Sequence, residues 1–427
     1  MNRIKEILTI VFLLSAVILF SQDSEKLSKK ETNSLVNTIC SKLQSTYFDP
    51  IKANKLCEIL NQKLKKKKFY NLPVNSLIKD LTKILIESTN DIHFNIGRLK
   101  KTKASKSIKE IPKKSYDSGF TEVKILDNNI GYIKWNRCIA SDEALKKIKS
   151  ALVFLEGCDY LIFDISRNGG GDGRSSGFIN QHLYANSEYQ NLLVKRCKGE
   201  KEWHQSEVPY NYSDGPKFYD IPIYIITSKK TASAAEYFAF ISQEMKRATI
   251  LGEKTAGAGN PVTMVTIGDF YMYIPICEIK TTDGKSIEAK GVMPDIKIDP
   301  SLAMHHITKD ILTQQLEKDN LSPEKKGLLQ WQINYLNMKT NKKEVEFSEK
   351  LAGKYGDYTI DYKDGYLKWG KDKLFPFSNT IFYRENGQIK EGDLILEFDD
   401  PINPSKLFYK VINENSGKVT KFELNKN

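Results

Sequence analysis

The chain is poor in histidine. Five occur among its 427 residues: His93, His182, His204, His305 and His306. Any chemistry that needs an imidazole must draw on that short set. Cysteine is sparse too. Cys40, Cys57, Cys138, Cys158, Cys197 and Cys277 are scattered, and no pair has metal-ligand spacing, which excludes zinc-finger scaffolds. There is no internal repeat, no long low-complexity tract and no recognisable nucleic-acid module. Beyond the N-terminal segment, no stretch approaches the ~20 apolar residues that a membrane span needs. No nucleic-acid partner and no membrane span in the mature chain are expected.

What is present is enough for a folded protein of two or three domains. Hydrophobic residues make up 40% and charged residues 28% of the chain, so a core can form. The net charge is +12, with lysine scattered or in short runs such as "LKKKKF". Such charge is first a solvated surface; attraction to an anionic surface or polymer is the alternative.

The N-terminus is more specific. "MNRIKE" is basic, "ILTIVFLLSAVILF" is apolar apart from Thr9 and Ser15, and "SQDSEK" turns polar. This is the pattern of a secretory signal peptide over residues 1–21, with cleavage near Ser21 or Gln22. An uncleaved anchor is the other reading. No cysteine follows the apolar run directly, which argues against a lipid anchor there. Export predicts a periplasmic, cell-envelope or extracellular address and makes disulfides possible. Cys138 and Cys158 read as buried thiols, whereas Cys40 and Cys57 would pair only if their helices pack together.

Residues 24–99 read as a helical domain, from apolar residues at three- and four-residue spacing in "SLVNTICSKLQSTYF" and "VNSLIKDLTKILIEST". A basic linker follows at 100–114. Residues 115–300 then alternate strand and helix, the signature of an α/β core with parallel strands. In it "YLIFDIS" and "IPIYIITSKK" are buried strands, and Ser141 caps a helix that Gly157 closes. A helical segment is expected at 301–345, with Ser322 as cap and Pro323 at its first helical position. From 346 to 427, aromatic strands with Asp-Gly and Asn-Gly turns predict a small antiparallel β domain.

Three loops at strand ends could carry chemistry. "DISRNGGGDG" has three consecutive glycines, which bring bare backbone N–H groups close to something. It is not followed by Gly-Lys-Ser/Thr, so a phosphate cradle is disfavoured. "TASAAE" places Ser233 at a strand-to-helix junction. Ser-x-x-Glu, here Ser233 and Glu236, is also an ordinary capping box. A nucleophile at that place would have the helix N-terminus and the Ala234 amide beside it. A serine nucleophile needs a base. His93, in "NDIHFNIG", is the candidate, against a purely structural histidine, and Glu288 in "SIEAKGVMPDI" could orient it.

"YLIFDISRNGGGDG", "IYIITSKKTASAAEYFAFISQEMKRATILGEKTAGAGNP" and "IEAKGVMPDIKI", in this order and separation, resemble the core of the tail-specific, or C-terminal-processing, serine peptidases. The likeness covers roughly Lys114 to Pro300. It implies a crotonase-like α/β core. Bacterial members use a Ser-Lys dyad with the lysine in "T-x-G-K-G"; here the stretch is "TAGAG", with Ala258 at that position and Lys254 out of register. Only the short basic linker separates "DIHF" from "GYIKW", leaving no room for the usual PDZ domain. The helices ending in "DIHF" resemble instead modules of the interphotoreceptor retinoid-binding protein, and the tricorn core protease belongs to the same wider family.

The resemblance implies Ser233 as nucleophile, His93 as base and Glu288 as the glutamate that holds the imidazole. It implies an oxyanion hole from Gly169 or Gly170 and the amide of Ala234. A further serine beside the tricorn histidine has no match, since Ile92 precedes His93. The expected function is an exported serine peptidase acting on a peptide or unfolded protein, with no metal and no organic cofactor. The alternative is a non-catalytic lipid- or peptide-binding module on the same fold. His93 and Ser233 are expected to meet between the helical part and the core, with the linker as a flexible connection.

Overall fold

The computed structural model describes residues 25–99, 118–185, 187–206, 214–340, 345–384, 395–412 and 419–427. The predicted signal peptide and linker lie outside the described residues. The chain divides into two compact units, residues 1–300 and 301–427.

The first unit begins with three helices, α1 (Lys29–Thr46), α2 (Pro50–Lys65) and α3 (Val74–Thr89). Their starts are written locally. Ser28 and Glu31 form a capping box on α1. Asp49 caps α2 by accepting two backbone N–H groups, ahead of Pro50 at the first turn. Asn90 ends α3 in the left-handed conformation, at φ +58°. A short strand follows, β1 (Asn95–Arg98).

The α/β part runs β2 (Phe120–Leu126), β3 (Ile130–Trp135), α4 (Asp142–Phe154), β4 (Tyr160–Asp164), α5 (Arg174–Leu183), β5 (Leu193–Cys197), β6 (His204–Gln205), β7 (Ile223–Thr227), α6 (Ala234–Glu244) and β8 (Thr249–Gly252). It ends with β9 (Val262–Ile267), β10 (Phe270–Pro275), β11 (Cys277–Thr281) and β12 (Ile296–Lys297). The main sheet has six strands in the order β12-β8-β7-β4-β3-β2. All neighbours are parallel except β2, which pairs antiparallel with β3 at the edge. The parallel strands are nearly continuous apolar runs because both faces are covered; every residue of β7 is buried. Phe238 on α6 meets Trp135 and Phe163 edge to face, and so locks that helix on the sheet.

The helical part is not closed by its own residues. Its core joins Leu43, Leu56, Leu81 and Phe94 with Ile267, Met272 and Ile274. The β9–β10 hairpin therefore leaves the α/β part, pairs with β1 and completes the helical core. A third small sheet, β11-β5-β6, carries a disulfide between Cys197 and Cys277, which face each other in register. The pairing open in the sequence, Cys40 with Cys57, is not made: both are buried free thiols, as are Cys138 and Cys158.

The second unit holds α7 (Pro300–Leu316), α8 (Pro323–Thr340) and eight strands between Gly353 and Asn425 that pair in sequence order. Ser322 caps α8 through the Lys325 N–H. Asp364 and Gly365, both at positive φ, make the expected tight turn. The first strand also meets the chain's last residues, through Gly356 N–H to Asn425 O at 2.9 Å and a Tyr355–Lys426 bridge, so the sheet closes toward a barrel. Among the described residues, no helix is long and apolar enough to cross a membrane.

Candidate active site

Ser233 sits where the loop after β7 hands over to α6. An ordinary helix cap is extended, with negative φ. Ser233 has φ +56° and ψ −125°, a strained backbone for a residue with a side chain. Its backbone N–H donates to Glu236 Oε2 at 2.8 Å, so Glu236 does reach back as the capping pattern predicts. In the first turn, the Ala235, Glu236 and Tyr237 amides bond to Ala232 and Ser233 carbonyls, while the Ala234 N–H has no acceptor among the described residues.

Glu236 does more than cap. Its side chain is fully buried. It also accepts from Thr255 Oγ1, from the Gly257 amide at 2.7 Å and from the Ala258 amide at 2.8 Å. One carboxylate thus fixes both the Ser233 turn and the "TAGAG" loop. Ala258 is 4% exposed and Lys254 is exposed, so neither offers an amine inside this network.

The glycine loop lies against the serine. A Cβ on Gly170 would come within 2.7 Å of both Ala232 O and Ser233 Cβ, so only glycine fits. Gly170 corrects one expectation: its N–H donates to Asn168 Oδ1 at 2.9 Å and is spent there. Gly169 is exposed and open. Gly171 has the better placement. Cys138 bonds to the Gly170 carbonyl and the Asp172 amide on either side of it, which leaves the Gly171 N–H directed away from that bridge. Gly171, Ser233, Ala234, Tyr237, Leu193 and Ile279 line a cavity of about 410 Å³.

His93 is on the turn between α3 and β1. Its Nδ1 lies 3.2 Å from Asp91 Oδ1, and its backbone N–H donates to the same oxygen at 3.0 Å. Asp91, 1% exposed, accepts the Asn260 side-chain N–H at 2.8 Å on its other oxygen. Glu288 Oε2 accepts the amides of Gly259 at 2.7 Å and Asn260 at 2.9 Å. Burial first, and the Asp91 charge second, push the Glu288 carboxyl up to about 7.

The structure brings His93 and Glu288 together, with Asp91 as a third member. It corrects the imidazole's partner: Nδ1 is taken by Asp91, not by Glu288. No hydrogen bond joins His93 to Ser233, and His93 Nε2 is buried without a partner among the described residues. The two sides are linked through the chain itself. Glu236 holds Gly257 and Ala258, Glu288 holds Gly259 and Asn260, and Asn260 holds Asp91. Donor atoms of Asp91, His93 and Glu288 lie within 4.8 Å of one another, a spacing a cation could bridge. The Asp91 oxygens and Glu288 Oε2 are already spent on N–H donors, which favours a hydrogen-bonded cluster over a ligand set. Asp91 and Asn260 were missed in the sequence. The Asp-x-His spacing of a turn was the one signal for Asp91.

Residues 129–298 match the family model for peptidase family S41. This part of the chain is similar to the peptidase domains of that family. The carboxyl-terminal-processing protease of Synechocystis sp. is 28% identical over 184 residues, 42% of this chain and 40% of the relative. The chloroplastic C-terminal processing peptidase of Tetradesmus obliquus is 25% identical over 179 residues, 40% of this chain and 36% of the relative. The chain thus spans about two fifths of the length of these curated relatives. A solved lipoprotein from Streptococcus agalactiae is similar over 68% of this chain and 98% of its own, at 18% identity and a TM-score of 0.48. Ser233, Glu288 and the glycine loop lie within the matched residues; His93 lies before them.

Proposed function

We propose that the protein is a serine peptidase that hydrolyses peptide bonds in a peptide or unfolded protein. The observation that carries this reading is the Ser233 turn: a serine at positive φ on the N-terminus of α6, beside the Ala234 amide, which has no acceptor among the described residues, and against a cavity. Ser233 Oγ attacks the carbonyl carbon. His93 takes the hydroxyl proton at Nε2 and passes it to the leaving amine, and water then releases the acyl group by the same route. The Ala234 and Gly171 amides receive the oxyanion. Glu288 closes the base side by fixing the 259–260 loop. The buried Ala258 supports a mechanism without a Ser-Lys dyad, and no cofactor enters any step.

The apolar leader and the Cys197–Cys277 disulfide support an exported protein. The test is labelling with a fluorophosphonate probe. The wild-type protein takes up one label per chain, and Ser233→Ala takes up none. A folded wild-type protein that is not labelled would point instead to the non-catalytic binding module.

A further inference from the structure

We propose that Asp91, clamped by Asn260, is the positioning residue that orients the His93 imidazole. The inference rests on His93 being the base, and it reassigns the orienting role from Glu288.

A base imidazole needs one nitrogen held and the other free. Asp91 Oδ1 holds Nδ1 at 3.2 Å and the His93 backbone N–H at 3.0 Å, so one oxygen fixes both the ring and its turn. A carboxylate only accepts, so Nδ1 carries the proton and Nε2 keeps its lone pair. Nε2 is buried and has no partner among the described residues. Asp91 is itself held at both ends. Asn260 Nδ2 donates to its second oxygen, and Thr89 Oγ1 accepts its backbone N–H at 3.2 Å.

Glu288 cannot serve equally. Its Oε2 is occupied by two backbone amides, and its Oε1 makes no bond to the ring. The groups facing the imidazole are Asp91 from its own turn and Glu288 from the 286–291 turn; Tyr47, at the end of α1, lies near both carboxylates. Asn260 follows the "TAGAG" loop that Glu236 anchors behind Ser233. The clamp therefore sets the base relative to the nucleophile across the two parts of the unit.

The test compares Asp91→Asn, Asn260→Ala and Glu288→Gln with the wild type. Nitrogen-15 NMR of the side chain, assigned by its loss in His93→Gln, reads the tautomer without turnover. The wild type should show Nδ1 protonated, and Asp91→Asn should shift the ring toward the Nε2-protonated form. Turnover in Asp91→Asn should fall by about 10³–10⁴ with KM nearly unchanged, as expected for a base in the wrong tautomer. Asn260→Ala should lose about tenfold, and adding it to Asp91→Asn should lose little more. Glu288→Gln should leave the tautomer in place. A tautomer shift in Glu288→Gln but not in Asp91→Asn overturns the proposal. If Asp91→Asn does not fold, an Nε2-protonated ring in the wild type overturns it equally. Failure of the peptidase reading shows separately, as a wild-type protein that no fluorophosphonate labels.

Discussion

The two sides of the candidate site are built in opposite ways. Behind Ser233 the Glu236 carboxylate is fully used: it takes four donors, and the strained turn rests on it. Around His93, the buried atoms His93 Nε2, Glu288 Oε1 and Asn260 Oδ1 have no partner among the described residues. A buried polar atom left unpaired costs about 1–3 kcal/mol. A fold keeps such atoms where something else uses them. The backbone of the nucleophile side is held by a protein carboxylate. The base side keeps capacity for a proton, a substrate group or solvent.

The largest effect should come from Ser233→Ala. Hydrolysis should drop by about 10⁴–10⁶, the range seen when a nucleophile is removed. Thermal stability should change by at most the ~0.5–2 kcal/mol of a helix cap. Activity surviving in the folded variant would remove the nucleophile from the comparison altogether.

Glu236→Ala comes next. It strips the acceptor from four donors, three of them buried, and should be strongly destabilising in denaturant unfolding, at about 1–3 kcal/mol for each buried donor left unpaired. On the base side, Asn260→Ala gives up one hydrogen bond to a charged group and should cost about 1.5–3 kcal/mol. Equal losses from the two variants would erase the contrast between the sides. Gly170→Ala should cost about 1–3 kcal/mol, because the new Cβ meets backbone and Ser233 at 2.7 Å with φ at +93°. Its labelling rate by the fluorophosphonate should fall as well.

Glu288 gives a smaller, pH-dependent signal. A carboxyl held above its ordinary value binds its proton more tightly in the folded than in the unfolded chain. Its contribution to stability is full below the ordinary value near 4.5 and is lost as pH rises through about 7. Glu288→Gln cannot ionise, so its melting temperature should gain on the wild type between pH 5 and pH 8. A constant difference over that range would show Glu288 to be an ordinary carboxylate. The smallest effect belongs to Lys254→Ala. That exposed side chain should be dispensable for turnover, and a complete loss of activity would restore a lysine base.

Much of this was legible in advance because it is local. The cap at Ser141, the Pro323 start of α8, the Asp364–Gly365 turn and the buried run of β7 each follow from a few consecutive residues. Ser233 was legible as a strand-to-helix serine. Its positive φ was not, because the capping pattern alone predicts an extended residue. The disulfide escaped notice because β5 and β11 are far apart in sequence and pair only in the sheet. The sequence pointed to Gly169 or Gly170 and not to Gly171, because only the folded loop shows that the Gly170 amide is spent on Asn168.

The sequence by itself determined the alternation of strand and helix, the helix caps, the glycine loop and the residue types that could act. Those depend on side-chain period, backbone freedom and short-range hydrogen bonds. Only the tertiary structure decided which of those residues meet. Asp91 and Asn260 are 169 positions apart, and their contact exists because the β9–β10 hairpin is drawn into the core of the three N-terminal helices. That burial is driven by apolar area, which is non-directional and names no partner. The partner of the imidazole was therefore fixed by packing and not by any motif around His93.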